Sequence, residues 1–217
     1  MVVMKNIVVL KRFLIAGGNS TLLVWNISKF ERDKMVKRYL KKVEQIGFVR
    51  DRKLIMMGNE LSINATIALA SQLGTKGTLQ TSGLDSDVEF QNKNGLTAIN
   101  FSLPFVIRGN VVLLSGIGYL CAKNNIKITK KRLVSLARKY KLPAFGIVIY
   151  KNGGIEPYVY VQKTNSLCKE TACGSGSIAA SLITKKNEIQ QPTGEKIFVR
   201  VRGTNIEVRA KVNEIYK

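Results

Sequence analysis

The segment Glu170-Thr171-Ala172-Cys173-Gly174-Ser175-Gly176-Ser177 places a cysteine directly before a run of small residues. We predict a glycine-rich turn over 172–176 and a buried helix over about 177–183. The first amides of a helix have no partner inside the helix, and the helix dipole adds positive potential there. A thiol at this point is expected to have a lowered pKa, and the amides can hold a carboxylate. The segment therefore predicts a reactive Cys173 beside an anion-binding helix N-terminus.

A second helix of small and apolar residues is predicted over 63–73, with Gly74 near its C-terminal end. The remaining patterns predict strands over 5–15, 21–27, 54–57, 77–81, 86–90, 96–102, 105–114, 145–150, 158–162, 197–201 and 205–212, and amphipathic helices over 31–46 and 132–140. The order of strands, a surface helix, more strands and a buried helix occurs twice. We therefore predict an α+β fold of two similar lobes, 1–104 and 105–217, and leave open that the last strand returns to the N-terminal lobe.

Composition excludes several classes of protein. The 217 residues contain no histidine, which excludes Ser-His and Cys-His hydrolases and the usual zinc ligand sets. Three cysteines are too few for a disulfide framework, Lys11 and Arg12 interrupt the apolar start, and no apolar run is long enough to span a bilayer. We therefore expect no metal site, no membrane association and a cytoplasmic location.

The net charge of +21 would attract polyanions. The lysines and arginines are spread along the whole chain, which favours a solvated basic surface. The basic stretch Lys34–Lys42 lacks the interleaved aromatic residues that base stacking needs. We therefore do not expect nucleic acid as the partner, although the charge alone does not exclude it.

Three segments, in the correct order, resemble the diaminopimelate epimerase superfamily. They are Phe13 to Leu23, which contains a Gly-Asn turn, Gly58 to Thr66, and Glu170 to Ser177. The resemblance extends over nearly the whole chain and favours a divergent branch that includes amino-acid racemases such as histidine racemases. It implies two pseudo-symmetric lobes, each with strands wrapped around a central helix, and a site in the cleft between them. It also implies proton removal and return at Cα by two thiols, without pyridoxal phosphate or a metal.

The resemblance assigns roles to individual positions. Cys173 matches the second acid/base, and Ser62 stands in the slot of the first. Asn19 and Asn64 match substrate-contacting asparagines, while Glu60 and Glu170 are candidates for the substrate ammonium, with helix capping or surface solvation as the other interpretation. The implied substrate-binding set also contains Ala65, Gly174, Ser175 and Gly176, of which Gly174 and Ser175 match amides that bind the carboxylate.

The chain departs from the family pattern at the first motif. Ser62 replaces a cysteine, Ile63 replaces the usual glycine, and Ile67 stands where an arginine is common. A serine hydroxyl is a far poorer base than a thiol at neutral pH. Three hypotheses stay open: an amino-acid racemase or epimerase with unequal half-reactions, a lyase or isomerase in which Cys173 or Glu60 starts an elimination, and a non-catalytic basic binding protein. The expected partner is a small amino acid, and a homodimer is possible.

Overall fold

The computed structural model describes residues 7–123 and 126–215. The predicted strand positions 5 and 6 lie outside these residues. The described strands are β1 (Val9–Ile15), β2 (Gly18–Trp25), β3 (Gln45–Arg50), β4 (Lys53–Met56), β5 (Lys76–Thr81), β6 (Val88–Lys93), β7 (Leu96–Ser102), β8 (Val106–Arg108), β9 (Val111–Leu114), β10 (Ile117–Ala122), β11 (Ala144–Lys151), β12 (Gly154–Val161), β13 (Ser166–Lys169), β14 (Glu188–Gln190), β15 (Lys196–Arg202) and β16 (Asn205–Ile215). The described α-helices are α1 (Arg32–Tyr39), α2 (Ile63–Ala70), α3 (Lys130–Tyr140) and α4 (Gly174–Thr184).

The strands form one hydrogen-bonded path in which β16 connects the two halves of the chain. The path runs from β1 in sequence order to β7, then through β16, β15, β14, β12, β11, β10 and β9 to β8, and β13 pairs with β12. Because β16 also pairs with β1, strands β1 to β7 and β16 form a closed ring of neighbours. The fold is a mixed sheet with few helices. The division into lobes at residue 104 stays a prediction.

Helices α2 and α4 are the buried helices. Every residue of α2 is buried, and α4 is buried from Gly174 to Leu182. Helix α2 packs against strands of the ring, among them β1, β2, β7 and β16, whereas α4 packs against β10, β11, β12, β14 and β15. Small side chains in both helices let the neighbouring strands approach closely from all sides. A helix that is apolar all round is favoured in such a buried position, since none of its faces needs contact with water.

Helix α3 follows the amphipathic prediction. Thr129 caps its N-terminus by accepting a hydrogen bond from the amide of Arg132, and Leu133 and Ala137 are its buried residues. Its buried face packs on the side of β11 that includes Phe145 and Ile147. None of the helices in the two described ranges is long and apolar enough to cross a membrane.

Several predicted elements have different bounds in the structure, among them the helix predicted over 63–73, which ends at Ala70, and three others show a physical reason for the difference. The helix predicted over 31–46 ends at Tyr39, because β3 must begin at Gln45 to pair in parallel with β2. The strand predicted over 105–114 is a hairpin of β8 and β9, and Gly109 turns the chain with a φ of +58°. The helix predicted to begin near 177 begins at Gly174, so the glycines assigned to a turn lie in the first turn of α4.

Candidate active site

The N-termini of α2 and α4 meet in the interior. The amide of Gly174 donates to Asn64 Oδ1 at 2.9 Å, and Asn64 Nδ2 donates to the carbonyl of Ala172, also at 2.9 Å. Glycine is required at position 174, because a Cβ there would lie 2.5 Å from Ile63 Cγ2. One asparagine thus joins the first turns of both buried helices. Residues 62 and 173 therefore cap two helices whose N-termini are in contact.

Cys173 is the N-cap of α4 and is 1% exposed. Its sulfur accepts from the amide of Gly176 at 3.2 Å, lies 3.4 Å from Tyr119 Oη, and lies 3.8 Å from Ser175 Oγ. The Tyr119 hydroxyl is also 2.7 Å from Ser175 Oγ. Polar groups from α4 and β10 therefore surround the thiol, although little of it reaches solvent.

The prediction of a lowered thiol pKa at Cys173 is wrong for this closed structure. Burial raises the pKa of Cys173 well above its usual value, and the negative charge of Glu170 raises it further. The hydrogen bonds from Tyr119 and from the Gly176 amide act in the opposite direction but are weaker than these two causes. Cys173 is therefore a neutral thiol here, because desolvation outweighs the helix N-terminus.

Glu170 lies beside Cys173 and is itself buried. Its pKa is raised to about 8, mainly by burial and also by the charges of Glu44 and Glu60, while hydrogen bonding to Cys173 acts in the opposite direction. Among the described residues, Glu170 Oε2 has no hydrogen-bond partner. A carboxyl group that titrates near pH 8 beside a thiol can accept the thiol proton at neutral to slightly alkaline pH.

Ser62 is the N-cap of α2. Its Oγ accepts from the amide of Ala65 at 3.2 Å and donates to Gln45 Oε1 at 2.7 Å. The amides of Ala65, Gly174 and Gly176 thus have acceptors within the protein, and Gly174 is one of the two amides that the resemblance assigns to the substrate carboxylate. A substrate carboxylate would have to replace those acceptors to use the same amides.

Asn19 belongs to a polar network that links β2 and β3 to the segment before Cys173. Its backbone amide donates to Thr171 Oγ1 at 2.6 Å, and its side-chain oxygen accepts from Gln45 Nε2 at 2.5 Å. Glu44 receives hydrogen bonds from the hydroxyl of Thr171 at 2.6 Å and from the Thr171 amide at 3.2 Å. Asn19 adopts a left-handed φ of +38°, which asparagine tolerates better than most residues. The network holds the N-terminal strands against the Cys173 segment.

A small cavity lies between the two helix N-termini. Its volume is about 30 Å³, and its wall includes residues from both halves, among them Ser62, Asn64, Tyr119, Glu170 and Ser175. That volume accommodates one or two water molecules at most. A larger surface pocket of about 530 Å³ lies near the C-terminal end of α4, and none of the predicted site residues lines it. An amino acid can reach the Cys173 region only if the cavity walls separate.

Sequence reasoning overlooked several residues of this region. Glu44, Gln45, Tyr119 and Cys168 all line the cavity. Gln45 comes next to Ser62 only through the pairing of β2 with β3, so no local motif marks it. Ser166, Cys168 and Glu170 alternate along β13 and the residue that follows it, and all three line the cavity. This period of two could have predicted that Cys168 lies on the cavity wall.

Comparisons with known proteins extend over most of the chain. The chain is 28% identical to a histidine racemase of Fusobacterium nucleatum subsp. nucleatum strain ATCC 25586, over 82% of this chain and 83% of the relative. It is 27% identical to a histidine racemase of strain ATCC 23726, over 82% and 84% of the two chains. No family model matches the chain.

Solved structures share the fold at low sequence identity. A phenazine biosynthesis PhzC/PhzF protein from Clostridium difficile superposes with a TM-score of 0.61 at 13% identity, covering 96% of this chain and 98% of that one. A predicted epimerase from Pseudomonas aeruginosa gives a TM-score of 0.63 at 8% identity, covering 95% and 96%. These likenesses show the fold.

Proposed function

We propose that the chain is a diaminopimelate epimerase-like protein and an amino-acid racemase or epimerase that works without a cofactor, because it is similar to histidine racemases over 82% of its length and shares the fold of a predicted epimerase. Cys173 removes the Cα proton in this proposal, and Ser62 occupies the opposite slot. The observation that carries the proposal is the contact between the two helix N-termini that these residues cap. The relatives' names put histidine first among the substrates to be tested.

The first step creates the thiolate. Burial keeps Cys173 protonated at rest, and Glu170 beside it has a pKa of about 8. Glu170 in its carboxylate form accepts the thiol proton and becomes a neutral carboxyl, and the substrate ammonium, which pairs with the carboxylate before the transfer, then stabilises the thiolate beside it. The thiolate then takes the Cα proton and becomes a thiol again. The electron pair of the C–H bond stays on the substrate as a carbanion delocalised into its carboxylate.

The second step returns a proton to the other face of Cα. Ser62 donates its hydroxyl proton to the carbanion and regains a proton from solvent when the site opens. A hydroxyl gives up this proton far less readily than a thiol would, because its pKa is much higher. Cys173 can meanwhile exchange its proton with solvent and return it to the original face. We therefore expect exchange with retention to be faster than inversion for one enantiomer.

A solvent-exchange screen tests this function. The protein is incubated in D2O with L- and D-forms of the common amino acids, including histidine. Cα deuteration is followed by NMR and inversion by chiral chromatography. The proposal predicts deuteration of at least one amino acid, with slower appearance of its enantiomer. Absence of Cα exchange across the whole panel would contradict the racemase, while formation of an unsaturated or deaminated product would favour the lyase.

A further inference from the structure

The cavity wall is acidic although the chain as a whole is strongly basic. The net charge of the chain is +21, yet Glu44, Glu60 and Glu170 all line this cavity. Of the residues in the described ranges, no lysine or arginine is part of the wall. Lys163 is the cation whose charge acts on Glu60, and its effect is the weakest of the causes that set the Glu60 pKa. Carboxylates therefore outnumber the nearby cations at this cavity even when the charge of Lys163 is counted.

The three carboxylates differ in how far they are already satisfied. Glu44 accepts hydrogen bonds from the side chain and amide of Thr171 and from Asn19. Glu60 accepts from the amide of Gly58 at 2.8 Å. Glu170 is 8% exposed, and its Oε2 has no partner among the described residues. Glu60 and Glu170 therefore accept fewer hydrogen bonds from the protein than Glu44 does.

Two positive charges are needed to complement this wall. Burial disfavours the ionised form of each acid, and the charges of Glu44 and Glu60 act against ionisation of Glu170. A bound cation reverses that balance, because opposite charges in a desolvated site attract strongly. The α-ammonium of an amino acid would form an ion pair with Glu170, which lies beside Cys173. Glu60 is then left buried, with only the weak effect of Lys163 to offset its charge.

We propose that the substrate carries a second positive charge at the end of its side chain and that Glu60 binds it. This inference rests on the proposed function for the placement of the α-ammonium beside Glu170. Met57, Leu61 and Val161 also line the cavity and offer apolar contact for a methylene stem. Val161 lies close to Glu60, since a Cβ on Gly58 would be 2.4 Å from Val161 Cγ1 and 2.6 Å from Glu60 Oε2. Lysine, ornithine and arginine have this combination of stem and cation.

Matched pairs of ligands test the substrate class. Calorimetry measures binding of lysine against norleucine, ornithine against norvaline, and arginine against citrulline, each as both enantiomers, together with glutamate. We expect at least one cationic member to bind about tenfold or more tightly than its neutral partner, the ratio that one charged hydrogen bond supplies. Glu60→Gln should reduce that ratio to about threefold or less, whereas Glu89→Gln, at an exposed position on β6, should preserve it.

The outcomes separate this inference from the proposed function. Equal or tighter binding of the neutral members, tighter binding of glutamate, or no binding of any member overturns the inference. If Glu60→Gln does not fold, the ratios in the natural protein still decide it. Cα exchange of neutral amino acids alone would leave the racemase intact and reject the cationic substrate. Preferential binding of a cationic member without Cα exchange would support the inference and reject the racemase.

Discussion

Ser62 and Cys173 have similar places in the fold but differ in chemistry. Each is the N-cap of a buried helix, and each accepts a hydrogen bond from an amide three residues later. One carries a hydroxyl and the other a thiol, so their capacities for proton transfer differ by several pKa units. The proposed reaction is therefore unequal on the two faces of Cα.

Ser62→Cys should make the two half-reactions more alike. We expect inversion to become at least about tenfold faster, because a thiol is a better acid and base than a hydroxyl near neutral pH. Chiral chromatography gives the inversion rate, and NMR gives the exchange rate in the same samples. Ser71→Cys, at the C-terminal end of α2, is the matched control. An unchanged ratio of inversion to exchange in Ser62→Cys would remove Ser62 from the mechanism.

Glu170→Gln should stabilise the protein increasingly as the pH rises. The pKa of Glu170 is about 8 in the folded chain against an ordinary value of 4.5, so between these values the unfolded chain releases a proton that the folded chain retains. The free energy of unfolding of the natural protein therefore falls over this range, and the amide removes that loss. Thermal melts at pH 5, 6, 7 and 8 should show the Tm difference between variant and natural protein growing by a few degrees per pH unit, on the scale of about 2–4 °C per kcal/mol.

The exposed Glu89→Gln serves as the control for these melts. Its Tm difference from the natural protein should stay constant across the four pH values. A Tm difference for Glu170→Gln that shrinks with rising pH would mean that Glu170 is ionised and well paired in the folded state.

The contact between α2 and α4 depends on the absence of a side chain at Gly174. In an ordinary exposed helix, replacing glycine by alanine raises stability by about 1 kcal/mol. Here the added Cβ would lie 2.5 Å from Ile63 Cγ2 and 2.8 Å from Ile63 Cβ, so the helices would have to move apart. Local helix propensity and tertiary packing therefore make opposite demands at this position, and packing decides.

Gly174→Ala should destabilise the protein by about 1–3 kcal/mol, the usual effect of overpacking a core. It should also slow Cα exchange by about 100-fold, since small displacements of catalytic groups are costly. Denaturant unfolding and the exchange assay measure the two effects. Ile63→Ala combined with Gly174→Ala should restore part of the lost stability and part of the lost exchange rate, because it removes the side-chain atoms that collide with the new Cβ. Gly154→Ala, where the nearest atom to the new Cβ is the backbone oxygen of Gln190 at 3.3 Å, should have a clearly smaller effect. Equal effects at positions 154 and 174 would refute the packing argument.

The sequence predicted the elements whose pattern is unambiguous. Helix α2 begins at Ile63 as expected, and β7 has the predicted bounds of Leu96 and Ser102. The helix over 31–46 was too long because its charged and apolar pattern continues past Tyr39, whereas sheet pairing requires an extended chain at Gln45. Strands β13 and β14 were not predicted because three or four residues do not establish a periodicity.

The candidate site was predictable only in part. The sequence predicted buried helices that begin near residues 62 and 173, and in the structure Ser62 and Cys173 are the N-caps of two such helices. The sign of the Cys173 pKa shift was wrong, because burial and the charge of Glu170 depend on which strands cover the thiol. Tyr119 lies on β10, far along the chain from α4, and reaches Cys173 only through packing of the strand against that helix.

For the whole molecule, β16 is the strand that connects the two halves. It pairs with β15 and also with β7 and β1, and Lys11 near the beginning of the described chain contacts Glu214 near its end. The four ion pairs in the described ranges are few compared with 35 lysines and arginines. Most of the positive charge is therefore balanced by solvent ions rather than by carboxylates.

Stability should rise with ionic strength as a consequence. Self-repulsion of a chain with net charge +21 destabilises the compact state, and salt screens it over about 10 Å at 0.1 M. The Tm should increase by several degrees between about 0.01 and 0.3 M NaCl. Lys34→Glu combined with Lys37→Glu, on α1, should raise the Tm at low salt and have less effect at high salt. A Tm that falls with added salt would show that ion pairs outweigh the repulsion.

Cα exchange in Cys173→Ala tests the central claim most directly. Initial rates of Cα deuteration in D2O are compared for the natural protein, Cys173→Ala and Cys121→Ala, the last removing a buried thiol of β10 that, unlike Cys173, is not the N-cap of a buried helix. The predicted result is a loss of about 10³-fold or more in Cys173→Ala and near-natural exchange in Cys121→Ala. Exchange at the natural rate in a folded Cys173→Ala protein would contradict the account.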